Sequence, residues 1–175
     1  AITRSPVIGV VPAIKPAADI TQTGQIGLLA TKGTISRKYT LDLISEFASL
    51  HEITKIGSDV LVSQAERKLH GYAIEEMLIE QELAPIIGNT AIDTVILGCT
   101  HFPLIKQEIQ NALGNKIHLI DSGEAIARRA AHILSTSNQQ LPLNSPLPAH
   151  TFIFTAENNQ VTKLAPALHT RGFFT

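Results

Sequence analysis

The stretch Thr94-Val95-Ile96-Leu97-Gly98-Cys99-Thr100-His101-Phe102-Pro103 passes from an apolar run through a polar turn into a helical pattern. The run 94–97 shows no polar alternation, which is typical of a strand covered on both faces of a parallel sheet. After the turn, apolar residues recur at helical spacing at Phe102, Ile105, Ile109, Ala112 and Leu113. The stretch therefore predicts a strand, a turn and a helix of an α/β fold.

Similar apolar runs lie elsewhere in the chain. They cover Val7–Val11, Ile26–Ala30, Ile117–Ile120 and, more weakly, Glu52–Ile56. Helical stripes separate them, namely Tyr39-Leu43-Ile44-Phe47-Leu50, Ile74-Met77-Leu78-Leu83 and Ile126-Ala130-Ile133-Leu134. This alternation predicts one parallel sheet containing 7–11, 26–30, 94–97 and 117–120, with helices on both faces. A ligand site is expected at the carboxyl ends of its strands.

Composition excludes several classes of function. The chain has 175 residues, 44% of them hydrophobic, which suits one sizeable domain or one small domain with an appendage. Fourteen Lys and Arg oppose fifteen Asp and Glu without a strong run of either sign, so we expect neither nucleic-acid nor membrane-surface binding. The apolar stretches are far shorter than the about 20 residues of a membrane span.

Metal and cofactor motifs are also missing from the sequence. His70, His118, His132, His150 and His169 lack the spacing of a metal site and are interpreted as ordinary residues. No Gly-Lys-Ser/Thr phosphate loop and no Gly-x-Gly-x-x-Gly turn occurs. We therefore expect no metal and no other cofactor.

The turn that contains Cys99 is the strongest candidate for chemistry. Cys99 is the single cysteine, which excludes an internal disulfide and, next to a histidine, is typical of a cytosolic thiol; we therefore expect a cytoplasmic protein. A helix start, capped by Thr100, and the nearby His101 favour the reactive thiolate. A buried cysteine acting as a small apolar residue is the alternative, but Cys99 follows the strand instead of lying in it, which favours a function.

Two more turns follow apolar runs in the same way. Thr31-Lys32-Gly33-Thr34 places hydroxyls and backbone N–H groups at a helix start, which suits a carboxylate or phosphate, although simple helix capping explains it as well. Asp121-Ser122-Gly123-Glu124 has the pattern of a capping box. Glu66 taken alone is interpreted as a solvated surface charge.

Together these turns resemble the glutamate racemase family. Val7-Ile8-Gly9-Val10-Val11-Pro12-Ala13-Ile14-Lys15-Pro16-Ala17 is similar to the opening of the family's second domain, and Leu29-Ala30-Thr31-Lys32-Gly33-Thr34-Ile35 to its substrate-carboxylate turn. Leu97-Gly98-Cys99-Thr100-His101-Phe102-Pro103-Leu104 resembles the segment with its second catalytic cysteine, and Ile120-Asp121-Ser122-Gly123 also fits. The His-Phe-Pro after the cysteine is specific, whereas the sequence beyond Ser135 matches only loosely.

The resemblance implies a cofactor-independent racemase that supplies D-glutamate for peptidoglycan. Two thiols would flank the substrate α-carbon, one removing a proton and the other donating one. By position, Cys99 would be one of these thiols, His101 its partner and Glu66 the carboxylate that orients the histidine. The resemblance also implies three substrate-binding residues, Thr31, Thr34 and Thr100, which would hold substrate oxygens or nitrogen.

The sequence also departs from the family. Members have an N-terminal part with Asp-Ser-Gly, Pro-Tyr-Gly and Cys-Asn-Thr turns, and this sequence has no counterpart of that part: Pro-Tyr-Gly and Cys-Asn-Thr do not occur, and Asp121-Ser122-Gly123 matches a different family segment. We therefore interpret residues 3–121 as the complete second domain and residues 122–175 as a strip of the first, with a linker over 135–148, a strand over 150–155 and a helix over 160–168. The chain alone is expected to be inactive, and residues 122–175 to be mobile or held by a partner, either the missing N-terminal part or a second copy.

Two other functions stay open from the sequence. One is a single-cysteine decarboxylase or isomerase of dicarboxylic acids from the same superfamily. The other is a non-catalytic module that uses the three threonines to hold a small carboxylate.

Overall fold

A parallel four-stranded sheet forms the centre of the computed structural model, which describes residues 6–136, 150–156 and 159–174. The strands are β1 Gln25–Ala30, β2 Glu52–Gly57, β3 Thr94–Leu97 and β4 His118–Ile120. They lie in the order β2-β1-β3-β4, and each neighbouring pair is parallel. The predicted α/β class with a parallel sheet is thereby confirmed.

Helices cover both faces of this sheet, as the sequence predicts. One face carries α1 Ile14–Ile20 and α3 Lys38–Phe47, and the other carries α4 Asp59–Leu69, α5 Glu76–Ile87 and α6 Lys106–Leu113. Within β1, Ile26 and Leu28 pack on the face covered by α1 and α3, whereas Leu29 packs on the face covered by α4, α5 and α6. Side chains alternate between the two faces along a strand. A short helix, α2 Lys32–Ser36, follows β1.

The prediction of a strand at Val7–Val11 is wrong. In the structure these residues form no strand, and Val7 and Val10 are 80% and 55% exposed. The neighbours of β1 are β2 and β3, so the weaker run at Glu52–Gly57 takes a place in the sheet that the stronger run does not. An apolar β-branched run indicates extended backbone, but it does not specify which strand will pair with it.

A carboxylate ties the loop before β1 to the start of β3. Asp93 accepts hydrogen bonds from the Thr21 hydroxyl at 2.6 Å and from the Gln22 and Thr23 backbone N–H groups at 2.7 and 3.1 Å. Partial burial by itself would raise the pKa of Asp93, but these hydrogen bonds outweigh it and hold the pKa at about 2. This contact lies at the amino end of the strands, away from their carboxyl ends.

The C-terminal segments are less buried. Helix α7 Gly123–Thr136 has no buried residue, and Leu134 on its predicted apolar stripe is 55% exposed. The helix predicted near 160–168 is α8 Asn159–Thr170, whereas the strand predicted at 150–155 is reduced to β5 His150–Thr151, paired in parallel with β6 Phe173–Phe174.

Most of the predicted linker at 135–148 lies outside the described residues; its first two residues end α7. Within the described ranges, no helix has the combined length and apolar character that crossing a bilayer requires.

Candidate active site

The turns after β1, β3 and β4 meet at one cleft of about 540 Å³. Parallel strands that are in register bring their carboxyl ends to the same edge of a sheet, and loops at that edge commonly form binding sites. The cleft is lined by five of the six candidate site residues from the sequence, together with Asp121: Thr31, Thr34, Cys99, Thr100 and His101.

Gly98 sets the path of the cysteine turn. Its backbone N–H donates to the Leu29 carbonyl at 2.7 Å. A Cβ atom at this position would lie 3.0 Å from that carbonyl oxygen and from Leu28 Cδ1, which is closer than ordinary contacts allow. The glycine therefore lets the backbone run close beside β1 just before Cys99, which lines the cleft.

The helix after this turn begins differently from the prediction. Phe102–Ile105 form a 3-10 turn that leads into α6, and His101 occupies the cap position without a side-chain capping bond. The expectation that Thr100 caps this helix is therefore wrong. Thr100 is exposed and lines the cleft instead, because the chain turns tightly here through a bond from the Phe102 N–H to the Cys99 carbonyl.

Cys99, His101 and Glu66 form a hydrogen-bonded chain. Cys99 Sγ lies 3.6 Å from His101 Nδ1, and His101 Nε2 lies 2.7 Å from Glu66 Oε1. Since the ionised carboxylate can only accept a hydrogen bond, His101 Nε2 carries a proton and donates a hydrogen bond to Glu66. His101 Nδ1 is then free either to accept from the thiol or, in the imidazolium, to donate to the thiolate.

Glu66 reaches this network from α4, behind the histidine. It does not line the cleft, and its side chain is 43% exposed compared with 35% for His101. Taken alone, its sequence environment suggested only a surface charge. The structure instead brings it into direct contact with His101, so the carboxylate can orient the imidazole ring that faces Cys99.

The Thr31 turn combines a structural contact with a place in the cleft. Thr31 caps α2, because its hydroxyl accepts from the Thr34 backbone N–H at 3.2 Å. The two hydroxyls are 2.9 Å apart, so one donates to the other. The capping interpretation from the sequence therefore holds, and both residues also line the cleft.

Asp121 sits at the third turn as a fixed anion. The backbone N–H of Gly123 donates to Asp121 Oδ1 at 2.9 Å, and Lys106 Nζ donates to Oδ2 at 3.1 Å. The Gly123 hydrogen bond, with further help from Lys106, holds the pKa of Asp121 below its usual value despite partial burial. The predicted capping box is not formed, because the Glu124 carboxylate pairs with Arg128 one turn along the helix.

Three polar residues of the cleft are not anticipated from the sequence: Arg37, Tyr39 and Thr40. Arg37 forms the joint between α2 and α3, and the five-residue length of α2 returns the chain to the cleft at this point. Among the described residues, Arg37 has no ion-pair partner. The helical stripe beginning at Tyr39 suggested only a packed face, whereas Tyr39 is 54% exposed.

Metal-binding groups are a separate question. The described ranges contain no cluster of three or more His, Cys, Asp and Glu side chains arranged to hold a metal ion.

Known proteins match this chain both as a family and as individual relatives. Residues 1–130 match the family described as Asp/Glu/Hydantoin racemase. The chain is 46% identical to the glutamate racemase of Pasteurella multocida (strain Pm70), over 96% of this chain and 61% of that protein. A glutamate racemase of Shewanella halifaxensis (strain HAW-EB4) is also 46% identical, over 97% of this chain and 62% of that protein.

Solved structures of glutamate racemases have a similar fold. The Escherichia coli enzyme, crystallised with L-glutamate and the activator UDP-MurNAc-Ala, has a TM-score of 0.89 and 42% identity, covering 98% of this chain and 64% of that one. An isoform from Bacillus anthracis has a TM-score of 0.76 and 28% identity, covering 97% and 62%. The chain thus spans about three-fifths of the length of these relatives. The family match over most of its length shows that the chain belongs to the Asp/Glu/Hydantoin racemase family.

Proposed function

We propose that this chain carries one catalytic half of a glutamate racemase, which interconverts L- and D-glutamate and supplies D-glutamate for peptidoglycan precursors. The observation that carries the proposal is the chain of contacts from Cys99 through His101 to Glu66 beside the cleft. In this proposal residues 3–121 are the second catalytic domain, and residues 122–175 belong to the first.

Cys99 acts on the substrate α-carbon in this mechanism. As a thiolate it removes the α-proton and becomes a thiol, while a second thiol on the opposite face gives its proton to the resulting carbanion. One conversion leaves Cys99 protonated and the second thiol ionised. The starting state returns either through the reverse reaction, in which Cys99 is the donor, or through proton exchange with solvent. His101 takes up or returns the proton of Cys99 through Nδ1, and Glu66 holds the opposite ring nitrogen in its protonated state.

Substrate binding is assigned to Thr31, Thr34 and Thr100. Hydroxyl groups can donate to carboxylate oxygens and accept from an ammonium group, and glutamate carries both at neutral pH. Arg37 supports an anionic substrate, because it lines the same cleft without an ion-pair partner among the described residues.

The second thiol has to come from outside these residues. The sequence contains a single cysteine, and inversion by two bases requires an acid opposite the base. We therefore propose that the remaining part of the enzyme, absent from this sequence, supplies the other thiol, and that the isolated chain does not racemise glutamate. No step of this mechanism uses a metal or another cofactor.

The test combines this chain with the remaining two-fifths of a full-length relative, expressed as a separate polypeptide. Circular dichroism of L-glutamate solutions should show racemisation only when both pieces are present, and a Cys99→Ser variant of this chain should remove it. Racemisation by the isolated chain, at an ordinary enzymatic rate on the order of 1 s⁻¹, would contradict the two-thiol proposal.

The same samples separate the alternatives. Carbon dioxide release from a dicarboxylic acid by the isolated chain would identify a decarboxylase. Tight binding of glutamate without exchange of the α-proton for solvent deuterium, with and without the second polypeptide, would identify a binding module.

A further inference from the structure

The end of α4 places a second histidine beside Glu66. Leu69 is the last residue of the helix, and His70 follows as its cap. Gly71 has a positive φ of 79°, its N–H donates to the Lys68 carbonyl, and the Tyr72 N–H donates to the Arg67 carbonyl. These two bonds form a Schellman motif, so the local sequence fixes the backbone position of His70.

The imidazole ring of His70 is fixed as well. Its Nδ1 lies 2.8 Å from the Glu66 backbone carbonyl, which can only accept, so Nδ1 carries a proton and donates it. The ring stacks on Tyr72 with a centroid distance of 6.4 Å and an interplanar angle of 13°. Only 14% of the His70 side chain is exposed.

This ring faces the carboxylate that binds His101. His70 Nδ1 is 3.8 Å from Glu66 Oε2, while the other oxygen of the same carboxylate receives the bond from His101. The remaining cations at this end of α4 are paired elsewhere: Arg67 with Glu75 at 3.6 Å and Lys68 with Glu108 at 2.7 Å. Among the described residues, the two histidines are thus the ion-pair partners of Glu66.

We propose that His70 is a positioning residue of the Cys99–His101–Glu66 network. Glu66 is 43% exposed and lies in the last turn of its helix, where a long side chain otherwise turns readily toward water. His70 donates a hydrogen bond to the Glu66 backbone carbonyl, and the same ring lies beside the Glu66 carboxylate. These two contacts hold the carboxylate in its hydrogen bond with His101. His101 then stays oriented toward Cys99. The proposal rests on the proposed function only where turnover is concerned, because the network itself can be observed without catalysis.

The reactivity of Cys99 gives a direct test. It is the single cysteine of the chain, so the rate of alkylation by iodoacetamide, measured across the neutral pH range, reports on this thiol alone. His70→Leu removes the donor at Nδ1, whereas His70→Asn keeps an N–H group at that position without the ring. Glu66→Gln serves as the reference for loss of the carboxylate, and His132→Leu, on the exposed side of α7, is the matched control.

We expect His70→Leu to move the pH profile of alkylation in the same direction as Glu66→Gln. The rate at neutral pH should change roughly three- to tenfold, as loss of one hydrogen bond predicts. His70→Asn and His132→Leu should keep the wild-type profile. In the Glu66→Gln background, His70→Leu should have no further effect, because both changes act through one carboxylate.

A wild-type profile in a folded His70→Leu variant, alongside a changed one in Glu66→Gln, would overturn the proposal. A second measurement uses the unaltered chain, in case the leucine variant does not fold. Nitrogen-15 spectra of labelled histidines should show His70 with a proton on Nδ1 across neutral pH, and a neutral His70 protonated on Nε2 alone would also overturn it. Neither measurement depends on racemase activity, so a failure here is distinct from a failure of the proposed function.

Discussion

His101 is the residue through which the other parts of the candidate site act. Its Nδ1 faces Cys99 Sγ at 3.6 Å, and its Nε2 binds Glu66 at 2.7 Å. We expect His101→Asn to lower the rate of Cys99 alkylation and to flatten its pH dependence, because the asparagine has no ring nitrogen that can take up the proton of the thiol. If His101→Asn changes the profile and Glu66→Gln does not, Glu66 is a surface charge after all; if neither variant changes it, the coupled site does not exist in this chain.

Gly98 supports the same site because its missing side chain leaves room for the backbone of β1. A methyl group would meet the Leu29 carbonyl oxygen and Leu28 Cδ1 at 3.0 Å, and that carbonyl is already held by the Gly98 N–H at 2.7 Å. Gly98→Ala should therefore lower the free energy of unfolding by roughly 1–3 kcal/mol, as overpacking does. Urea denaturation followed by circular dichroism measures this.

Gly33→Ala is the matched control for that experiment. No atom lies within 4 Å of the Cβ position at Gly33, which is within helix α2. This variant should keep or slightly raise stability. Equal stability of the two variants would show that the close approach at Gly98 is not a constraint.

Among the connections between elements, the Asp93 contact has the clearest dependence on pH. Its folded-state pKa is about 2, compared with 3.8 for an unperturbed aspartate. A depressed folded pKa stabilises the fold fully above the unfolded value, and this stabilisation is lost as pH falls from about 4 to 2. Allowing for solvent screening, the contribution at neutral pH is roughly 1–2 kcal/mol.

Asp93→Asn should therefore destabilise the fold at neutral pH by about that amount and weaken the decline between pH 4 and 2. Urea denaturation at a series of pH values measures both effects. Asp19→Asn, which removes the same charge from an exposed position of α1, should behave like the wild type. If the two variants prove equally stable, the loop before β1 is held by something other than this carboxylate.

Across the whole molecule, the local sequence pattern predicts which segments form strands and helices. Ile26–Ala30 and Thr94–Leu97 lie within strands because unbroken apolar runs can be buried on both faces. Val7–Val11 could not be excluded from the sheet on pattern alone, since pairing depends on distant residues. Only the family resemblance predicts Glu66 beside His101, because the 35-residue separation between them carries no periodic signal.

The places of His70 and Arg37 are also not predictable from the sequence, because each depends on contacts between distant segments. The local sequence indicates an ordinary residue at His70: Leu-His-Gly-Tyr is a recognisable helix ending, but nothing local connects that ending to Cys99. Arg37 was missed because the short length of α2 was not predicted. Local chemistry therefore indicates where a turn or a cap lies, whereas the choice of its neighbours depends on the packing of helices that are distant in sequence.

Helix α7 leads to a prediction about the state of the molecule in solution. Its apolar stripe is strongly one-sided in sequence, yet the helix has no buried residue, and Leu134 is 55% exposed. An apolar helix face that stays in contact with water favours association. We therefore expect the purified chain to self-associate as its concentration rises, as measured by light scattering.

The double variant Ile133→Gln and Leu134→Gln should move the chain toward the monomer, because it makes the stripe polar while leaving the cleft unchanged. Ala131→Gln, an exposed position of the same helix, adds one polar group away from the stripe and should have no effect. A wild-type chain that remains monomeric at all concentrations, with strong amide-exchange protection over Ala125–Leu134, would show that α7 is already held within the single chain.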